Sequence, residues 1–238
     1  MSSFLTSIRK RGIKWTSRWR IHRLQRLYRD RPYHEFYAAV MNERIRVDPR
    51  YAVGGLWEEI GRLQFEYLVA KGLEPGHRLL DFGCGSLRGG LHFIGYLDPG
   101  NYTGVDISAE ALATGEVFLA ESGLDDRQPE LIRIGGLDLA ELDGRCFDYL
   151  LAHSVLTHMP PTDIGALFRS IRRVMVPESR FFATYFDGGG RYHVSADRLD
   201  FYYPFDRLAG MAAENGLVLT RDASYSHPRG QVMVEIRI

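Results

Sequence analysis

Three clusters in this 238-residue chain have the residue types to hold a charged ligand and move a proton. The first runs from His77 to Gly90, H-R-L-L-D-F-G-C-G-S-L-R-G-G. There Asp81 closes a short apolar run, and Gly83, Cys84 and Gly85 form a turn tight enough to need glycine. A strand, a glycine turn and a helix N-terminus present backbone N–H groups to a ligand. A carboxylate two residues before the first glycine repels a pyrophosphate and suits a cation. The second cluster is Asp106, at the end of Y-T-G-V-D, where a carboxylate can accept hydrogen bonds from a ribose diol. The third is His153 and His158, just after F-D-Y-L-L-A. Histidine titrates near neutrality, which suits it to take a proton from a hydroxyl. His193 and His227 are further candidates on the acceptor side, with Tyr185, Tyr192, Tyr202 and Tyr203 as potential pocket lining. Cys84 sits where a helix N-terminus can lower a thiol pKa, but a small residue that fits the turn is the simpler reading. The histidines show no H-x-x-x-H arrangement and Cys84 and Cys146 no paired spacing, so no metal site is expected.

The elements that must position these residues follow from periodicity. Arg78–Leu80 reads as the first strand, followed by a helix from Leu87 to Leu97. Asn101–Val105 is the second strand, and Ser108 is a suitable N-cap for the helix after it. Glu130–Ile134 is a third strand ending at Gly135-Gly136, and Phe147–Ala152 a fourth. Thr162 is expected to cap a helix with an apolar stripe of Ile164, Leu167, Phe168, Ile171, Val174 and Met175. Arg180–Phe186 is a fifth strand, Pro204–Asn215 a helix, and Leu217–Arg221 and Gln231–Arg237 the last two strands. Upstream, Tyr33–Val47 and Leu56–Gly72 read as helices. Alternating strands and helices predict an α/β fold, a Rossmann-like doubly wound sheet of seven mostly parallel strands. The hairpin-sized link from Asp222 to Gly230 makes the last strand antiparallel. Ligands bind such sheets beyond the carboxyl ends of the strands.

The formal net charge of zero hides an asymmetry. Residues 1–31 hold ten cationic side chains and one acid, leaving 20 basic and 29 acidic side chains in the rest. Residues 4–30 read as a basic helix with Phe4, Ile8, Trp15, Trp19, Leu24, Leu27 and Tyr28 as its apolar members. The division expected is a basic helical extension over 1–48 and a catalytic domain over 49–238. Such an arm can pack on the body or lie on an anionic membrane surface, while a nucleic-acid partner is not favoured. No apolar run approaches the ~20 residues that span a bilayer. Two cysteines and no signal-like apolar core fit a cytoplasmic protein, at most peripheral to a membrane.

The dinucleotide fingerprint G-x-G-x-x-G fails, because its sixth position from Gly83 is Arg88. Instead L-L-D-F-G-C-G with Y-T-G-V-D-I-S, A-H-S-V-L-T-H-M-P-P and V-M-V-P-E-S-R-F-F-A-T resembles the class I S-adenosylmethionine-dependent methyltransferases. More narrowly, W-E-E-I-G-R-L-Q, G-C-G-S-L-R-G-G and H-P-R-G-Q resemble a bacterial group of largely unassigned substrate. The resemblance implies S-adenosyl-L-methionine as cofactor. It places Asp81, Gly83, Cys84 and Gly85 against the methionine part, Asp106 on the ribose and Ile107 against the adenine. Gly136, Leu137 and Asp138 would flank the adenine on its other side, and His153 and Ser154 would lie near the sulfonium. His153 and His158 are the base candidates. The family's third glycine falls at Leu87, so different backbone packing is expected there. Its usual acid after the third strand is replaced by Gly135-Gly136. The activity implied is O-methylation of a small molecule or saccharide. The alternatives are N-methylation of a small amine, or a regulatory protein that binds the cofactor without turnover.

Overall fold

A computed structural model describes residues 19–52, 55–197 and 199–238. Nine strands form one sheet: β1 (Leu79–Phe82), β2 (Tyr102–Asp106), β3 (Glu130–Arg133), β4 (Phe147–Ala152), β5 (Met175–Asp187), β6 (His193–Val194), β7 (Phe201–Tyr203), β8 (Val218–Asp222) and β9 (Gln231–Arg237). The order along the main path is β3-β2-β1-β4-β5-β7-β6. β1 pairs with both β2 and β4 in parallel, so the chain reverses its direction of travel at β1 and opens the crevice there. β9 runs antiparallel between β5 and β8. The seven expected strands are all present. The two short additions, β6 and β7, extend the sheet past the end of β4, where β5 pairs Phe186 with Tyr202.

Side chains alternate across the sheet, and each set meets its own helices. Leu80, Phe82, Leu150, Ala152, Phe181 and Ala183 pack on one face. They meet Ile164, Leu167, Phe168 and Ile171 of α7 (Pro161–Ile171) and Leu208 and Ala212 of α8 (Phe205–Ala213). Leu79, Leu151 and Phe182 face the other way. They meet α4 (Trp57–Ala70), α5 (Gly90–Tyr96) and α6 (Ala109–Glu121) through Leu68, Phe93, Ile94 and Leu119. Ser108 caps α6 as expected, its hydroxyl accepting from the Ala111 N–H at 3.1 Å. Thr162 does not cap α7: the N-cap is Pro160 and Pro161 fills the first position. A proline there is pre-set for helix and lacks the N–H that would otherwise go unmatched.

The N-terminal helices roof the crevice. Residues 19–27 are helical (α1), followed by α2 (Tyr33–Val47) and the short α3 (Pro49–Ala52). The expected helix over 4–30 lies outside the described residues up to 18, Trp15 included. Ile21, Leu24 and Tyr28 pack with Phe36, Val40 and Leu199 in a small separate core. α2 is tied at its start to α7 by His34 and Asp163, 3.9 Å apart. Its last turns are tied to α6: the Ser108 hydroxyl donates to Asn42 Oδ1 at 2.7 Å, and Arg46 pairs with Glu110 at 2.6 Å. Since α6 follows β2 and α7 follows β4, α2 crosses the carboxyl ends of the central strands.

Candidate functional site

The turn after β1 is held by backbone. Gly83 and Cys84 donate their N–H groups to Val105 O at 2.8 and 3.1 Å. Gly85 N–H donates to Asp106 Oδ2 at 2.9 Å, and Ser108 N–H to Oδ1 at 2.7 Å. Asp106 therefore clamps the glycine turn to the start of α6. Gly83 and Gly85 have φ of +75° and +58°, where a β-carbon is costly. At Gly83 a β-carbon would also lie 2.5 Å from Val155 Cγ2, because the chain leaving β4 passes that close.

Leu87 corrects one expectation. It takes the place of a glycine and keeps the glycine conformation, with φ of +67°. Its fully buried side chain fits because Gly90 and Gly115 are bare: β-carbons there would lie 2.7 and 3.0 Å from Leu87 atoms. The backbone path is preserved, and the room is made by neighbours. A left-handed leucine stores strain of about 1–2 kcal/mol, more than offset by burying the side chain.

Asp81 and Asp106 end adjacent strands. Asp81 is buried and accepts from the Tyr102 hydroxyl at 2.8 Å. Burial raises its pKa to about 7, the Asp106 charge adds to the rise, and the Tyr102 bond opposes it. Burial also raises Asp106, against its backbone hydrogen bonds. Two carboxylates disfavoured by burial, beside a left-handed turn, fit a ligand with a cation and a diol. Cys84 is buried and its thiol is pushed well up by the same loss of solvent, which removes a nucleophilic role. Ile107 and Leu137 are half-buried against the core. Gly136 is half-buried, Asp138 exposed, and the carboxylate that reaches the end of β3 is Glu141, accepting from Gly135 N–H at 2.9 Å.

The two histidines after β4 sit in different surroundings. His153 is 6% exposed; its Nε2 lies 2.7 Å from the Tyr225 hydroxyl and its Nδ1 3.4 Å from Arg88 Nη2. Burial, then the charge of Arg88, lowers its pKa well below the usual histidine value. Ser154, at φ +59°, donates its N–H to Thr184 Oγ1 at 2.7 Å and its hydroxyl to Gln231 Oε1 at 3.0 Å. His158 is half-buried, with Nδ1 2.7 Å from Leu199 O and 3.3 Å from Asp200 Oδ1. Tyr37 of α2 stacks on its ring at 5.1 Å between centroids. The hydrogen bond from His158 is the main reason the Asp200 carboxyl lies below its usual pKa.

Of the other candidates, His227 joins His153, their rings 5.2 Å apart. His193 does not: it is exposed and stacks on Tyr202 at the sheet edge. Tyr185 and Tyr203 are fully buried core residues, the latter bonded to Met159 O, which removes them from any pocket wall. Tyr192 packs against Tyr203 beneath Arg207. Sequence reasoning missed Tyr37, Arg88, Asp200 and Tyr225. Tyr33 and Tyr37 share a helix face by spacing, but nothing local links them to His158. Among the described residues no group of three His, Cys, Asp or Glu side chains is placed to hold a metal.

Residues 80–181 match the family described as a methyltransferase domain. The ubiquinone biosynthesis O-methyltransferase of Neisseria meningitidis is 28% identical over 134 residues, covering 53% of this chain and 51% of that protein. The protein of the same name from Hahella chejuensis is 26% identical over 132 residues, covering 52% and 49%. The chain thus spans about half the length of the curated relatives it matches. In structure it resembles the magnesium protoporphyrin IX methyltransferase of Synechocystis PCC 6803 with bound SAH. That match has TM-score 0.62 and 16% identity, covering 86% of this chain and 97% of that one. It also resembles the DhpI–SAH complex, with TM-score 0.59 and 20% identity, covering 85% and 93%. At these identities the structural likeness establishes the fold.

Proposed function

We propose that this chain, whose residues 80–181 match a methyltransferase domain, is a class I methyltransferase that moves a methyl group from S-adenosylmethionine to an oxygen of a small molecule. The observation that carries this is the pair Asp81 and Asp106 at the ends of β1 and β2, around a turn held left-handed at Gly83, Gly85 and Leu87. Asp81 would meet the cationic end of the donor and Asp106 the ribose diol, and Ile107 and the 136–138 segment would hold the adenine. Bound there, S-adenosylmethionine supplies an electrophilic methyl on a sulfonium.

The chain's own task is then to align the acceptor and remove its proton. His158 is the better base of the two candidates. Its Nδ1 proton is held by Leu199 O and Asp200, which leaves Nε2 with a free lone pair. Nε2 takes the acceptor hydroxyl proton as oxygen attacks, and the Asp200 carboxylate stabilises the imidazolium that forms. His153 is a weak base, because burial beside Arg88 disfavours its charged form; we assign it to holding Tyr225 and Arg88 in place. The printed activity of the Neisseria and Hahella relatives, O-methylation, supports oxygen over nitrogen as the acceptor atom.

We read residues 19–48 as the roof of the acceptor side, with an outer face suited to an anionic membrane. Trp19 and Leu27 are 63% and 62% exposed, and Arg20, Arg23 and Arg26 are exposed beside them. Among the described residues no helix is long and apolar enough to cross a membrane.

The test is calorimetric titration with S-adenosylmethionine, S-adenosylhomocysteine and NAD. Micromolar binding of the first two and none of the third is expected. Absence of binding by both sulfur ligands would overturn the proposal.

A further inference from the structure

Three segments meet around His153: the helix-entry end of the glycine turn (Arg88), the end of β4 (His153 itself), and the β8–β9 connection with Tyr225, His227 and Arg229. β9 begins opposite Phe186, at the carboxyl end of β5, so that connection lies on the crevice side of the sheet. Proton positions in the cluster follow from which groups can only donate. His153 Nδ1 lies 3.4 Å from Arg88 Nη2 and 3.2 Å from the Ser154 hydroxyl; because a guanidinium only donates, we assign Nδ1 as the acceptor from Arg88. His153 Nε2 then carries the ring proton and donates to Tyr225 at 2.7 Å. The Tyr225 hydroxyl, having accepted that bond, has its own proton to give.

His227 follows the same logic. Its Nδ1 accepts the Arg229 backbone N–H at 3.1 Å, so its proton sits on Nε2. That Nε2 is buried with no hydrogen-bond partner, on a residue 7% exposed. A buried donor left without an acceptor is rare and costly. Its ring lies 5.2 Å from that of His153 and 6.1 Å from that of Tyr225. The charges of Arg88 and Arg229 both act on His227 and help keep it neutral. The cluster thus offers N–H and O–H groups and the buried Arg88 guanidinium to its interior, with Arg229 exposed at its edge.

We propose that Arg88, Tyr225, His227 and Arg229 form a carboxylate-binding subsite that seats one reactant of the methyl transfer. A ligand facing only donors must bring only acceptors, which selects an anion. Asp81 also acts on Arg88, so the local charge suits a single negative charge better than a phosphate dianion. The carboxylate has two sources, the amino-acid end of the donor or an acidic acceptor. This rests on the methyltransferase reading above.

The full-length protein and two variants, Arg229→Gln and His227→Phe, separate the sources. Each is titrated with S-adenosylhomocysteine, with 5′-methylthioadenosine (which has no amino-acid end), and with sodium benzoate in the presence of S-adenosylhomocysteine. Thermal melting checks that the variants fold. If the donor supplies the carboxylate, both variants weaken S-adenosylhomocysteine at least tenfold and leave methylthioadenosine within twofold. If the acceptor supplies it, the adenosine ligands are unaffected, and benzoate binds the wild-type complex but not the variants. In wild type the ring N–H proton resonance of His227 shifts when the carboxylate enters, a readout that needs no variant. Equal binding by wild type and folded variants, with an unmoved His227 resonance, would overturn the subsite. If wild type binds neither adenosine ligand, the methyltransferase reading falls, and the response of His227 to benzoate alone still decides the subsite.

Discussion

On the β1–β2 side of the crevice, backbone groups set the geometry. Gly83, Cys84, Gly85 and Ser108 donate their N–H groups to Val105 O and Asp106 within one stretch of about thirty residues, 79–108. On the β4 side, side chains set it. Tyr37, His158 and Asp200 form one group and Arg88, His153, Tyr225 and His227 another, each drawn from segments far apart in sequence that meet only after folding. A backbone-built half tolerates few residue types, because φ and close approach exclude a β-carbon. A side-chain-built half can be re-cut for a new acceptor without disturbing the sheet. That division suits an enzyme whose donor is fixed and whose acceptor varies.

The sharpest way to separate the halves is to remove the proposed base. His158→Ala should lower kcat by about 10²- to 10⁴-fold while leaving S-adenosylhomocysteine affinity within twofold. Asp200→Asn should follow with a smaller loss, because the ring keeps its bond to Leu199 O. Rate assays on an identified acceptor, paired with calorimetry, check both. A loss of donor affinity equal to the loss of rate would erase the division.

The converse experiment loads the backbone half. Gly83→Ala puts a β-carbon 2.5 Å from Val155 Cγ2 at φ of +75°. Left-handed strain of about 1–2 kcal/mol and overpacking of about 1–3 kcal/mol should together lower stability by roughly 2–5 kcal/mol in urea unfolding. Asp106→Asn is milder. Its carbonyl oxygen keeps one of the two backbone bonds from Gly85 and Ser108 and its amide loses the other, worth about 1.5–3 kcal/mol. Donor affinity should fall roughly 10- to 100-fold, with turnover at saturating donor little changed.

The same contrast explains what was legible in the sequence. The glycine turn, Asp81 and Asp106 are local, and their types are forced by φ, burial and chemistry, so residue order alone reveals them. Leu87 shows where that logic stops. Its left-handed backbone depends on room left by Gly90 and Gly115, and Gly115 lies a strand and most of a helix away. β6 and β7 are too short, at two and three residues, to show a period. Thr162 looks like a cap by type, but the proline at 161 enters the helix first. Asp200 could not be paired with His158 because no spacing rule joins residues brought together across a sheet edge.

The smallest expected effect concerns pH, where the halves oppose each other. Asp81 has its pKa raised from 3.8 to about 7 in the folded protein, chiefly by burial. Between those values the folded state binds the proton that the unfolded state has released, so this group lowers stability as pH rises through the window. His227 has its pKa lowered from 6.5 to about 4, again chiefly by burial. Between those values the unfolded state binds the extra proton, so this group lowers stability as pH falls. The two slopes have opposite sign and overlap from about pH 4 to 6.5. At full strength each is about 1.4 kcal/mol per pH unit, so these two groups offset each other there. Asp81→Asn should unmask the histidine slope, giving a protein that loses stability on acidification from pH 6.5 to 4.5. His227→Phe should remove one histidine slope and, relative to wild type, tilt the profile toward lower stability as pH rises over the same range. Urea midpoints at half-unit steps would show this; parallel profiles in both variants would mean the two halves do not titrate independently. Bound donor should then act on one half alone. Its cation stabilises the Asp81 carboxylate and removes that group's slope, so saturated wild type should show the same pH profile as Asp81→Asn.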